Sequence, residues 1–201
     1  MRASPGFYQT PLLSEASTRI SVSACNDAFP QYPATVEDKG WIYGVWYCGT
    51  SWHKAQLHGQ YPPTFLQRAL ALFPNAQQVL HCPSGTVTGP GLTIDLIEDR
   101  TRCPHIIADA AALPLASGSV DLVLSDPPYT KEDSAIYGCA PFPMRKFMAE
   151  AHRVLRRGGH LGMLHLHYPA YRQKEWRLIG LIAVVTGACR VTRLFSIFKR
   201  L

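Results

Sequence analysis

The stretch Val120–Tyr129, VDLVLSDPPY, decides how this chain folds. VDLVLS is a nearly continuous apolar run of strand length. Such a run suits a strand covered on both faces, as in a parallel sheet flanked by helices. It stops on Asp126-Pro127-Pro128-Tyr129. The prolines fix φ and withhold N–H donors, so this tetrapeptide is a rigid, shaped corner. In open α/β sheets ligands lie beyond the carboxyl ends of the strands, which is where the corner falls.

Working outward, Gln78–Cys82 (QVLHC), Leu92–Ile97 (LTIDLI) and His105–Ala108 (HIIA) read as three earlier strands. Downstream, Met144–Arg157 carries Phe147, Met148, Ala151, Val154 and Leu155 at helical spacing, and Gly158-Gly159 supplies a left-handed stop. His160–His167 reads as a fifth strand and Tyr171–Leu178 as a short helix. Ile179–Thr186 and Val191–Phe198 form an antiparallel hairpin around a tight Gly187 turn. Ahead of the first strand, Pro62-Pro63 opens a helix over Thr64–Phe73. Trp41–Trp52 (WIYGVWYCGTSW) has the aromatic content of a strand or hairpin. Residues 1–40, rich in Ser, Pro, Ala and Thr, read as an extended arm or irregular cap. Strands alternating with helices imply an α/β sheet.

The corner has a specific chemistry. The Asp126 carboxylate and the Pro127 carbonyl can act together as acceptors for the two N–H donors of an exocyclic amino group. Tyr129 offers a flat face to a base taken out of its stack. The plainer alternative is a proline-rich turn whose Asp caps a helix.

On these residues the chain resembles the S-adenosylmethionine-dependent amino-methyltransferases that modify adenine N6 or cytosine N4. The resemblance spans about residues 57–201, and DPPY is its most specific part. It implies a Rossmann-like class I methyltransferase fold: a mostly parallel seven-stranded sheet with a C-terminal antiparallel hairpin and a shortened first helix. The domains are then an N-terminal arm and cap (1–56) and a methyltransferase domain (57–201) without a separate target-recognition domain. Asp126, Pro127 and Tyr129 would be catalytic, and Pro128 and Tyr129 would contact substrate. The loop Thr130–Pro143 could order over a flipped base, with Tyr137 as a second substrate contact, or be a plain connection. Asp109 and Ala110, in IADAAALP, would meet the adenine of the cofactor, and Asp126 would border it too. Asp95 would accept from the ribose hydroxyls, with Glu98 and Asp99 as alternatives. The helix, Gly-Gly turn and strand of FMAEAHRVLRRGGHLGML match the same fold.

The cofactor loop departs from the family pattern. In VLHCPSGTVTGPGLTID, His81 stands where the family has an acid, and Gly85 matches a loop glycine. The spacing from His81 to Asp95 leaves no room for the usual helix, so Pro83–Gly91 must replace it. Pro83, Ser84 and Gly85 would then line the cofactor, Gly85 letting the backbone approach its methionine portion. His81 reads as a partly buried strand-end histidine. The segment from His58 to Phe65 (HGQYPPTF) resembles one that closes over the methionine carboxylate, although a plain helix start reads equally well.

The 201 residues carry a net charge of +6, 47% hydrophobic and 17% charged residues, a globular composition. Residues 1–144 hold 8 Lys+Arg against 12 Asp+Glu, whereas 145–201 hold 12 against 2. The basic third is a candidate surface for a polyanion, or a solvated helix face with a basic tail. The expected partner is nucleic acid, DNA ahead of RNA, with a homodimer or a specificity partner as a source of selectivity. The alternative functions are methylation of an RNA base, or a non-catalytic nucleic-acid-binding module. The longest apolar run near the C-terminus is too short to cross a bilayer and no secretory signal is visible, so a cytoplasmic protein without membrane attachment is expected. Six cysteines without CxxC or zinc-finger spacing read as mostly reduced, buried thiols, and no metal site is expected.

Overall fold

A computed structural model of the chain describes residues 18–49, 59–98, 103–187 and 190–201. Helices α1 (Val22–Ala28), α2 (Phe65–Leu72), α3 (Lys131–Ile136) and α4 (Met144–Val154) accompany nine strands. These are β1 (Val36–Asp38), β2 (Trp41–Tyr47), β3 (Val79–His81), β4 (Leu92–Asp95), β5 (Ile106–Ile107), β6 (Val120–Ser125), β7 (Leu155–His165), β8 (Trp176–Val185) and β9 (Arg193–Arg200). One sheet holds them in the order β1-β2-β8-β9-β7-β6-β3-β4-β5.

β6 spans the run predicted from VDLVLS, and all six of its residues are buried. It lies parallel to β3 and β7, and β3, β4 and β5 continue parallel to one edge. β9 is inserted antiparallel between β7 and β8, which gives the expected C-terminal hairpin. Successive residues of β6 feed opposite cores. Leu122 and Leu124 pack with Phe65, Ala69 and Leu72 of α2, while Val123 packs with Phe147, Met148 and Ala151 of α4. That alternation is the period-two geometry of a strand between two helical layers.

Several boundaries differ from expectation. α4 ends at Val154 rather than Arg157, because Leu155 turns extended and fully buried. The next residues form a bulge against β6: Val120 faces Leu155, and Leu122 already faces His160. The bulge lets Arg156 reach Asp121 at 2.6 Å, while Asp121 Oδ2 accepts from the Gln77 and Gln78 amides. Tyr171–Leu178 is no helix; β8 begins at Trp176, whose ring packs edge-on against Phe198 and His152. The segment between β3 and β4 contains no helix: the Pro83–Gly91 loop replaces it, as the spacing from His81 to Asp95 requires, and the shortened first helix is absent.

The described part of residues 1–40 is more ordered than an irregular cap. Ser21 caps α1 through the Ala24 amide, and β1 pairs with β2 through a Lys39-Gly40 turn in which both φ angles are positive. β2 in turn pairs in parallel with β8, so β1 and β2 add two strands to the seven expected. Arg68 of α2 is buried here among Phe29, Tyr32 and Trp46, its guanidinium carbon 4.0 Å from the centroid of the Tyr32 ring.

Among the described cysteines, Cys25, Cys48 and Cys82 are buried, Cys139 is half-buried and Cys103 is exposed. Cys189, Asp99, His58 and the tail end of the Trp41–Trp52 segment lie outside the described residues. Among the described residues no helix is long and apolar enough to cross a membrane.

Candidate active site

The carboxyl ends of β3, β4, β5 and β6 surround a cavity with about 710 Å³ of empty space, its open mouth included. Its walls include Pro83, Gly85, Asp95, Asp109, Ala110, Asp126, Pro128 and Tyr137 from the sequence-predicted set. Three acids therefore reach one space from the ends of β4, β5 and β6, with β3 lying between β6 and β4. Leu96, Ile97, Ala108, Phe142 and Pro143 supply apolar wall between them.

The short Pro83–Gly91 loop is held by hydrogen bonds rather than by a helix. The Ser84 amide donates to Ile94 O at 2.9 Å, and the Gly85 amide to Asp95 Oδ2 at 2.8 Å. Thr86 N donates to Gly59 O at 3.0 Å. His81 is fully buried, and its Nε2 donates to Pro90 O at 3.0 Å. Burial depresses its pKa, so the ring is neutral and acts as a tie for the loop. Gly85 has φ +52°, and a Cβ there would lie 1.9 Å from Gly59 O. The glycine is thus required by the close approach of the Gly59 backbone, a neighbour that sequence reasoning did not identify.

Asp95 is 9% exposed and accepts from two amides, Gly85 N on Oδ2 and Ile97 N at 3.3 Å on Oδ1. Asp109 Oδ1 accepts from Ala111 N at 2.8 Å. Each carboxylate is fixed in the wall by backbone amides and keeps lone pairs for a ligand. Of the alternatives to Asp95, Glu98 is not part of this wall.

At the corner, Asp126 and Pro128 line the cavity, whereas Pro127 is buried and Tyr129, partly exposed, is not part of the wall. The Tyr129 hydroxyl donates to Asp126 Oδ1 at 2.5 Å. Its ring packs edge-on against His165, 5.0 Å between centroids. Asp126 Oδ2 lies 3.9 Å from Arg193 Nη1. Burial pushes the Asp126 carboxyl up to about 6, against the opposing pull of Arg193 and the Tyr129 hydroxyl. Burial and the neighbouring carboxylate hold the Tyr129 phenol far above its usual range, so it stays a donor. A capping box between Thr130 and Asp133 starts α3 directly after the corner, and Asp133 Oδ2 also accepts from Tyr129 N.

Ser84 is buried away from the cavity, with its Oγ unpartnered. Tyr137 belongs to the same wall as Gly59 and Gly85, with its Cε1 3.9 Å from the site of a Gly59 Cβ. Sequence reasoning missed Arg193 and the apolar wall residue Phe142. In the basic C-terminal third, Arg153, Arg156, Arg193 and Arg200 are part-buried and bound to neighbours in the fold, whereas Arg172 pairs at the exposed surface. Their partners are, in that order, Glu150, Asp121, Asp126, the Leu155 carbonyl and Glu175.

No protein-family model and no curated protein matches the chain. Among solved structures, TrmN from Thermus thermophilus is similar with a TM-score of 0.52 and 20% identity, covering 73% of this chain and 51% of that one. The PH0226 protein from Pyrococcus horikoshii OT3 gives a TM-score of 0.41 and 11% identity, covering 69% and 88%. The chain therefore spans about half the length of the TrmN chain it matches. At this level of identity the similarity speaks for the fold alone, a Rossmann-like mixed α/β sheet of parallel strands with a C-terminal antiparallel hairpin.

Proposed function

We propose that the protein is an S-adenosylmethionine-dependent methyltransferase acting on an exocyclic amino group of a nucleobase, with adenine N6 in DNA as the first target and an RNA base as the second. The observation that carries this reading is the position of Asp126. It shares one cavity with Asp95 and Asp109, while Tyr129 and Arg193 back its carboxylate.

The cavity fits the cofactor chemically. Asp95 suits a pair of ribose hydroxyls, Asp109 suits an adenine amino group, and Leu96, Ile97 and Phe142 suit the flat base. When bound, S-adenosylmethionine supplies an electrophilic methyl group on a sulfonium.

The amino nitrogen of a nucleobase is a poor nucleophile because its lone pair is delocalised into the ring. Asp126 and the Pro127 carbonyl would accept its two N–H bonds, favouring a pyramidal nitrogen with a localised lone pair. The two prolines hold these acceptors in fixed relation, which contributes through orientation. The nitrogen's extra proton would pass to an Asp126 oxygen or to water. The Tyr129 hydroxyl already occupies one lone pair of Oδ1, so an arriving amino group uses the remaining ones or displaces it.

The test is transfer of a tritiated methyl group from S-adenosylmethionine to DNA and RNA oligonucleotides, followed by nucleoside analysis. The reading expects label on an N-methylated base. Label in neither polymer would refute it, and a strong preference for one polymer fixes the substrate class.

A further inference from the structure

Asp126 is backed, on the side away from the cavity, by a residue from the far end of the chain. Arg193 is the first residue of β9. Because β9 runs antiparallel to β7, its start lies at the carboxyl end of the parallel strands, where Leu194 faces His165. Arg193 Nη1 lies 3.9 Å from Asp126 Oδ2, and its guanidinium carbon lies 5.5 Å from the centroid of the Tyr129 ring. Arg193 is not part of the cavity wall, whereas Asp126 is.

We propose that Arg193 is a positioning residue for the corner: it holds Asp126 as an anionic acceptor and steadies the Tyr129 ring beside it, without touching the cofactor. The inference rests on the reading of Asp126 as the acceptor of the target amino group.

Asp126 accepts from the Tyr129 hydroxyl and would accept one N–H of the amino group as well, which suits the ionised form, since a neutral carboxyl gives up acceptor capacity to a proton of its own. Burial at the corner works against ionisation and raises Asp126 to about 6. The groups that face it are Tyr129 from the corner itself, Tyr61 from the segment ahead of α2, and Arg193 from β9. Both phenols are held neutral, and the Tyr61 hydroxyl is buried without a hydrogen-bond partner. Arg193 is the cation that acts on Asp126 among these groups. Its planar guanidinium face suits the Tyr129 ring.

The experiment compares the full-length wild type with R193M and R193K. Asp126 is titrated by carboxyl ¹³C NMR in the absence of cofactor, and kcat/KM for methyl transfer is measured from about pH 5.5 to 8.5. R193M should raise the Asp126 midpoint by about one unit, and R193K should restore most of it. The loss of kcat/KM in R193M should be small near pH 8.5 and grow toward about tenfold below pH 6. A merely structural role would lower the rate by one factor at every pH. If R193M does not fold, R193Q gives the same comparison. An unchanged Asp126 midpoint overturns the inference, as does a pH-independent loss of rate. If the midpoint shifts but the wild type methylates neither DNA nor RNA, the function assigned to the site falls while the Arg193–Asp126 coupling stands.

Discussion

The two halves of the sheet's carboxyl edge are built differently. In the β3–β5 half the strands are two to four residues long, and no described helix connects them. Its cavity wall is fixed by backbone amides on Asp95 and Asp109 and by the tight contact of Gly85 with Gly59. In the β6–β9 half the strands are six to eleven residues long. Its reactive corner is fixed by Tyr129 within the corner and by Arg193 and His165 from distant parts of the sequence. Short loops suffice to hold strand-end carboxylates that only need amide donors. A desolvated carboxylate that must stay an acceptor needs a counter-charge, and long paired strands bring one from 67 residues away.

If the halves are functionally separable, their variants must fail differently. The largest effect is expected for D126A, which removes the acceptor but leaves Asp95, Asp109 and Gly85 in place. Methyl transfer should fall by at least about 100-fold at saturating cofactor, read from labelled transfer rates. Near-normal turnover would break the comparison.

G85A should act on the other half. Its Cβ would clash with the Gly59 carbonyl at a positive φ, so the loop must shift and the Gly85 amide must leave Asp95. Loss of that charged hydrogen bond corresponds to about tenfold weaker cofactor binding, measured by calorimetry. Turnover should largely recover at high cofactor concentration. Failure to recover would mean that the loop also shapes the corner.

The smallest effect concerns stability. Folded Asp126 titrates near 6, while the unfolded carboxyl titrates near 3.8. Between these values the folded chain holds more protons, so this group's contribution makes stability fall as pH rises through the window. Above about pH 6 the buried charge is a net cost. D126N should therefore melt a few degrees higher than wild type near pH 7.5, with the difference vanishing below about pH 4. Equal melting temperatures at both pH values would contradict the burial ascribed to the corner.

Much of this architecture was legible in the sequence. VDLVLS matches β6 to the residue, because a fully buried strand is apolar throughout except for Asp121 and the terminal Ser125. DPPY marked the corner, because two prolines after a strand leave few conformations. The start of α4 was visible in its apolar stripe, but its end was not. Leu155 fits a helical stripe equally well, and only the Arg156–Asp121 bridge and the bulge explain why the helix stops early. A charged residue inside an apolar strand was the available signal for that bridge. α1 is seven residues long with one buried side chain, so its period is too weak to detect. Arg193 was invisible for another reason: its neighbour is set by the antiparallel insertion of β9, a property of topology and not of local pattern. Tyr137 reads from the sequence as a substrate contact because its loop, Thr130–Pro143, is free to close over a base. In space it stands beside Gly59 in the cavity wall.

The central claim is that a helix-free loop and a charged corner form one cofactor site with separable duties. Calorimetric titration of S-adenosylmethionine into wild type and D126A tests it most directly. The account predicts saturable one-to-one binding of indistinguishable affinity to both proteins. No binding to the wild type at about millimolar cofactor would contradict it.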